Sequence, residues 1–507
     1  MAQRHLDRLT PVDASFLHQE DANAHMHLGA LVQISGEPLT RAELLDQIRE
    51  RLHLVPRYRQ KLAYTRLDAG RPVWIDDPAF DPDFHVRHTA LPAPGGFRQL
   101  QALTARIFSQ PLDRARPLWE MWLVEGLREG GCALILKNHH CLIDGVAGMD
   151  LATVLFDLDP HAAPPEHPEH SWQPHREPSR LELLGTLARA ALRSERELAE
   201  KALAALANPE GAMRKLRDAA EGLGEVAWAL LNPAPATPLN EPIGPYRRFI
   251  GIAAPLDDLK AIKNAFGGTV NDVVLAIVTG ALRTFLIERG VRTSGLELRA
   301  LVPVSVRAPD EHGAMGNRIV AMRAPLPVFI ADPIERLRYL TAAMADLKES
   351  KQAIGAKVIA DVQNFAPPTL LAQASRLQFS TRLFNLLVTN IPGPQFPLYV
   401  RGRMLRHAYP IAFLPNNHAL SVAMMSYNGE ITFSLLADFD ALPDVELIGE
   451  AISAEIAALL AATRSEPSRR TARRSRRKNA QRFLPRPPLS LVGAESAASA
   501  TRTRART

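Results

Sequence analysis

A chain of 507 residues, 46% apolar and 22% charged, can bury substantial cores and divide into domains, which excludes a small stapled module. Only two cysteines occur, Cys132 and Cys141, a usage that points to a reducing, cytoplasmic setting and not to a disulfide framework. The net charge of +6 is unevenly placed: Arg464 to Thr507 carries 13 Arg and Lys against 2 Glu, so the rest of the chain is mildly acidic.

The N-terminal stretch MAQRHLDRLTPVDASF lacks the apolar centre of a signal peptide. No run approaches the roughly 20 apolar residues of a membrane-spanning helix, so any membrane contact is expected to be peripheral. Met26 to Ser35 reads as a strand. The stretch TRAELLDQIRERL after it reads as a helix, with Thr40 and Glu43 at capping-box spacing and Leu44, Leu45, Ile48 and Leu52 at helical spacing. Cys132 to Leu136 is a second, buried strand, and Val146 to Leu158 has a helical pattern. Prolines and histidines from Asp159 to Arg180 make a linker. Leu181 to Leu231 is a helical crossover broken at Asn208-Pro209, and a second strand and helix begin near Arg247 in RRFIGIAAPLDDLKAIKNAF. The expected division is an N-terminal domain over 1–160, linker and crossover over 161–245, a C-terminal domain over 246–463 and a basic, disordered tail over 464–507, which has no buried face.

The stretch KNHHCLIDGVAGMD, Lys137 to Asp150, sets two histidines at the end of the second strand. Adjacent strand residues point to opposite faces. His139 and His140 therefore need different tasks: one imidazole enters a reaction space as a general base, the other pins the strand end. Asp144 and Gly145 fall where the chain turns toward a helix; glycine supplies backbone freedom, and Asp144 can hold the turn through hydrogen bonds or an arginine. The plainer reading is two satisfied polar residues at a strand end. A metal would need a third ligand beside His140 and Asp144, and no nearby Cys/His cluster supplies it, so none is expected. Cys141 as a nucleophile activated by His140 fails because sequence neighbours in extended chain hold their side chains apart.

Further along, Thr269 and Asp272 have capping-box spacing, with Val270, Val273, Val274 and Ile277 on one apolar face. Helix capping fully explains Asp272; it does not explain Asn271. Pro117, Leu118 and Trp119 precede the apolar MWLV and read as core packing.

HHCLIDG, His139 to Gly145, matches the HHxxxDG signature of the coenzyme A-dependent acyltransferase superfamily. With LTPVDASFL, PLDRARPLWEMWLVEGL, TVNDVVLAIVTGALR, LVPVSVR, GNRIVAM and VTNIPGP in order, the chain from Leu9 to Ala462 resembles the bacterial wax ester synthase/acyl-CoA:diacylglycerol acyltransferase family. The resemblance implies an α/β fold of two chloramphenicol-acetyltransferase-like domains joined by a helical crossover, with an active-site channel between them. It also implies transfer of a fatty acyl group from acyl-CoA, a co-substrate, to diacylglycerol or a long-chain alcohol, with no cofactor. By match of position His140 is the base, His139 mainly structural, and Asp144 shapes the site. Asn271 and Asp272 are placed at the cleft opposite the histidines. The tetrahedral oxyanion needs a donor, for which the backbone near Gly145 or the Asn271 amide are candidates. Arg307, ending LVPVSVR, is a candidate partner for Asp144. Two rival readings remain, an acyltransferase using a carrier-bound donor and a non-catalytic acyl-binding protein on the same fold. The basic tail suits an anionic membrane or lipid-droplet surface as well as it suits plain solvation. Nucleic acid is not expected, because Phe483 alone is available there for base stacking.

Overall fold

The computed structural model describes residues 7–64, 71–142, 155–163, 165, 172–179, 231–305, 319–349 and 379–482, with scattered positions between 181 and 217. The chain opens with β1 (Asp7–Arg8) and α1 (Pro11–Gln19), the latter capped by Thr10, whose hydroxyl accepts from the Asp13 N–H. The predicted first strand forms as β2 (His27–Ile34) and the predicted helix as α2 (Arg41–Arg51). Its capping box is complete: the Thr40 N–H donates to Glu43 Oε2 at 2.8 Å and the Glu43 N–H to Thr40 Oγ1 at 3.2 Å. Leu44, Leu45 and Ile48 are buried, as the helical spacing requires.

There follow β3 (Gln60–Ala63), β4 (Val73–Asp76), α3 (Pro82–His85), β5 (Val86–Ala90), α4 (Phe97–Phe108), β6 (Trp119–Glu125) and β7 (Cys132–His139). Most of the helix expected over Val146–Leu158 lies outside the described residues, as do Asp144, Gly145 and Arg307. The linker returns to the body at His175, whose backbone N–H and ring both meet Asp76 Oδ2, at 3.1 and 2.7 Å. The described crossover positions are helical on both sides of Asn208, where the Gly211 N–H donates to Asn208 Oδ1 and Pro209 starts the next helix.

The second half starts with β8 (Arg247–Pro255), α5 (Leu256–Phe266) and α6 (Val270–Glu288), as expected. Then come β9 (Leu298–Ser305), β10 (Ile319–Leu326), α7 (Pro333–Glu349), β11 (Leu386–Pro392), β12 (Tyr399–Val400), β13 (Arg403–Ile411), β14 (Leu420–Tyr427), β15 (Glu430–Asp438) and α8 (Glu446–Arg482). By length and composition α6 is apolar enough to cross a membrane. Thirteen of its residues are buried and it forms the centre of a core with α5, α7 and the second sheet, which is what an all-round apolar helix does in a packed domain.

Two six-stranded sheets carry the halves, in orders β12-β13-β2-β7-β6-β5 and β10-β9-β11-β14-β15-β8, beside a small β1-β4-β3 sheet. The halves are not closed in sequence. β13 leaves the second half to pair antiparallel with β2, from Leu405 opposite Ile34 to Ile411 opposite Gly29. Met1–Leu460 accordingly forms one compact unit. A third apolar cluster joins the two sheets: Leu31 and Ile135 from the first, with Met26 just before β2, meet Phe249, Leu301, Leu387 and Leu436 from the second.

The tail departs from expectation. The segment from Arg464 was expected to be disordered, yet α8 runs on as helix to Arg482. A packed first portion supplies the costly nucleus, after which the Ala-, Arg- and Lys-rich sequence adds helical residues cheaply.

Candidate active site

β7 is set by its apolar start. Cys132, Ala133, Leu134 and Ile135 are all fully buried, and the strand pairs with β2 and β6. Gly29 of β2 lies so close to β7 that an added Cβ would fall 1.8 Å from Leu136 O, so only glycine fits there. At the strand end the two histidine backbones are tied to different neighbours. The His139 N–H donates to Leu118 O at 3.0 Å, and the His140 N–H donates to Met26 O at 2.8 Å. His139 ends the strand and His140 opens a short 3-10 turn, His140–Leu142.

His139 is 1% exposed and its ring is fixed on both sides. The Cys141 N–H donates to His139 Nδ1 at 3.1 Å. Since an N–H can only donate, Nδ1 is the acceptor in this bond and Nε2 is the nitrogen left to face the rest of the site. That nitrogen faces Glu20 Oε2 at 3.4 Å, while Glu20 Oε1 faces His27 Nε2 at 3.5 Å. Arg114 also donates to Glu20, from Nε at 3.0 Å and from Nη2. Burial disfavours the Glu20 carboxylate, but the close approach of His139 and His27 outweighs it and holds its pKa well below the usual range. His27 is pushed far below its ordinary value by burial. It is neutral at pH 7, and Arg114 is a permanent cation beside the carboxylate.

His140 has apolar company. Its ring stacks on Phe16 of α1, with centroids 3.7 Å apart and planes at 14°, and meets the edge of Phe413 at 5.6 Å. Phe413 arrives there because β13 joins the first sheet and ends opposite Gly29. The His140 Nδ1 is buried and has no hydrogen-bond partner among the described residues. Burial pushes its pKa down to about 4, against a smaller contact to its own backbone. The ring is neutral at pH 7 and able to accept a proton.

Cys141 lies against His139, its Sγ 2.9 Å from Nδ1, and not against His140. Burial pushes its thiol well above the ordinary value, so it is no nucleophile.

Pro117, Leu118 and Trp119 are core, as expected, but also frame the site. Leu118 and Trp119 are buried, the Leu118 carbonyl holds the His139 backbone, and the Trp119 indole donates to Tyr58 O at 2.8 Å. Tyr58 in turn donates to Asn138 Oδ1 at 2.8 Å, on the strand beside the histidines.

Asp272 caps α6, its Oδ2 accepting from the Thr269 N–H at 2.8 Å. Asn271 pairs with Asn390 of β11, the Asn390 Nδ2 donating to Asn271 Oδ1 at 3.2 Å. Among the described residues no hydrogen bond, ion pair or ring contact joins Asn271 or Asp272 to either histidine. No three His, Cys, Asp or Glu side chains among the described residues converge as a metal cluster would.

Glu20, Phe16 and Asn390 are among the residues at this site that escaped the sequence reading. Glu20 and Phe16 sit in or beside the N-terminal motif with no local sign of their partners. Asn390 sits in VTNIPGP, whose place among the ordered motifs was its only signal.

A family model of the wax ester synthase/diacylglycerol acyltransferase catalytic domain matches residues 9–274, and the corresponding C-terminal domain matches 315–460. The chain belongs to the wax ester synthase/diacylglycerol acyltransferase family. As a member of that family it is an acyltransferase. A probable diacylglycerol O-acyltransferase of Mycobacterium tuberculosis is 34% identical over 460 residues, covering 90% of this chain and 96% of the relative. The solved wax ester synthase/diacylglycerol acyltransferase of Marinobacter aquaeolei VT8 superposes with a TM-score of 0.63 at 28% identity, covering 90% of this chain and 99% of that one. A condensation domain of the calcium-dependent antibiotic synthetase, at 15% identity and TM-score 0.57 over 90% of this chain and 96% of its own, shares the two-domain α/β fold. Both predicted features, the wax ester synthase/diacylglycerol acyltransferase likeness and the chloramphenicol-acetyltransferase-like fold, are borne out.

Proposed function

We propose that this acyltransferase moves a long-chain acyl group from acyl-CoA to the hydroxyl of diacylglycerol or a long-chain alcohol, with His140 as general base. The observation that carries the assignment is the unequal setting of the two histidines. The His139 ring accepts from the Cys141 N–H and faces the Glu20 carboxylate, whereas His140 is neutral, partly accessible and set between the apolar rings of Phe16 and Phe413. An alcohol is a poor nucleophile at neutral pH. As its oxygen attacks the thioester carbonyl its proton passes to His140, the carbon–sulfur bond then breaks, and the departing sulfur takes the proton. His139, Glu20 and Arg114 hold the strand end on which that base sits. No cofactor is called for in this sequence of steps. Asp144, Gly145 and Arg307 keep the roles that the HHxxxDG likeness implies, turn, backbone donor and ion-pair partner. Asn271, oriented by Asn390, is the side-chain alternative as oxyanion donor. The acceptor is water-insoluble, and the basic C-terminal segment suits contact with anionic lipid on the cytoplasmic side of a membrane or on a lipid droplet.

The test is thiol release from palmitoyl-CoA, with dipalmitoylglycerol and hexadecanol supplied separately, for the wild type and His140→Ala. Acceptor-dependent release should fall by ~10²- to 10⁴-fold in the variant. Undiminished release would remove His140 from the base position, and the accepted alcohol identifies the product.

A further inference from the structure

The surroundings of His140 raise a chemical problem that the base assignment alone does not solve. A base able to deprotonate a lipid hydroxyl can also deprotonate water. Water attack on the same thioester breaks the same carbon–sulfur bond and yields a free fatty acid and CoA thiol. The acyl group is then lost and no lipid is made.

The ring is walled by phenylalanines from three separate parts of the chain. Phe16 covers one face at 3.7 Å, and Phe413 presents at 5.6 Å with planes at 75°. Phe379 reaches both, 6.4 Å from Phe16 and 5.8 Å from Phe413, and is backed by the fully buried Phe384 at 6.2 Å. Phe16 and Phe413 are only 8% and 6% exposed. None of the three rings offers a hydrogen bond to water, while each offers apolar surface to an acyl chain. Core packing would account for one ring on a histidine. The rings come from α1, from the segment after β13 and from the turn before β11; Phe16 and Phe413 contact the imidazole, whose Nδ1 is buried without a hydrogen-bond partner among the described residues, and Phe379 closes the ring set behind them.

We propose that Phe16, Phe413 and Phe379 form a water-excluding collar around His140 that directs the acyl group to a lipid hydroxyl and away from hydrolysis. The proposal rests on the reading of His140 as the base. A lipid acceptor crosses the collar by laying its own chains against the rings, so its hydroxyl arrives without accompanying water. In this role the three phenylalanines are positioning and selectivity residues; the proton still moves between the acceptor oxygen, His140 and the CoA sulfur. The low basicity of His140 accords with a dry setting.

The experiment supplies palmitoyl-CoA to the purified full-length protein with and without dipalmitoylglycerol, following thiol release and free palmitate for the wild type, Phe413→Ser and Phe413→Leu. The ratio of hydrolysis to transfer should rise roughly tenfold in Phe413→Ser, and stay near the wild-type ratio in Phe413→Leu, which keeps an apolar wall. A Phe413→Ser protein with lower transfer but an unchanged ratio would show packing alone and overturn the proposal. If Phe413→Ser does not fold, Phe379→Ser at the half-buried rim is measured instead: a raised ratio supports the collar and an unchanged one overturns it. Failure of the base assignment is seen separately, as acceptor-dependent transfer surviving in His140→Ala.

Discussion

At His140 side-chain contacts set the protonation of the ring, and with it the pH range in which it could act as the proposed base. Burial against Phe16 and Phe413 holds the pKa near 4, where an exposed histidine has about 6.5. A general base works only when unprotonated, so the acidic limb of kcat/KM reports the free enzyme's pKa. With that pKa lowered, kcat/KM should stay flat from about pH 8 to about pH 5 and fall only as the pH nears 4. Initial rates after brief exposure to each pH would show it, and a tenfold fall per pH unit beginning between 6 and 7 would mean that the ring is solvated during turnover. Glu20 makes a complementary point. Its carboxylate shares oxygens among His27, His139 and Arg114, which lie 7, 119 and 94 positions away, so no local pattern could single it out.

Helix caps were legible because they are local. Thr40 with Glu43 and Thr269 with Asp272 close their boxes within three residues. What a helix packs against is another matter, and α6 shows the difference. Gly280 lies inside it, where glycine costs about 1 kcal/mol relative to alanine in an isolated helix. Here an added Cβ would stand 2.2 Å from Glu455 Cδ and 2.4 Å from Arg336 Nη2. Those two groups form an ion pair between α8 and α7, and Arg336 is fully buried, with its Nε donating to Ala276 O at 3.2 Å. Gly280→Ala must therefore displace the pair, and should destabilise the fold by about 3 kcal/mol despite the better propensity, since separating one partner of a buried pair is costly. Urea denaturation measures this; a neutral or stabilising result would show that the pair can shift by more than an ångström at little cost.

Over the whole molecule, charge is divided along the chain. Thirteen basic residues against two acidic ones lie from Arg464 onward, on a mildly acidic remainder, and the segment from Ala461 forms a unit of its own. If the tail draws the protein to anionic lipid, the attraction is screened over about 10 Å at 0.1 M salt and about 3 Å at 1 M. Washing isolated membranes in 1 M NaCl should release the full-length protein, and a chain ending at Ala462 should stay in the supernatant at low salt. Release by truncation but not by salt would mean that the tail acts by something other than charge.

Sequence alone determined the strand and helix around Thr40, the strand leading to His139, the start of the second half near Arg247, and, through ordered motifs, the acyltransferase family and its fold. Each of these rests on neighbours within a few positions or on a string of residues read in order. The tertiary structure alone set the surroundings of the two histidines, with the Cys141 N–H and Glu20 meeting the His139 ring and Phe16 and Phe413 the His140 ring. It also decided that β13 completes the first sheet and so brings Phe413 across about 270 residues to His140. Such contacts form by closing long loops, and their residues carry no periodicity or spacing by which a linear reading could pair them.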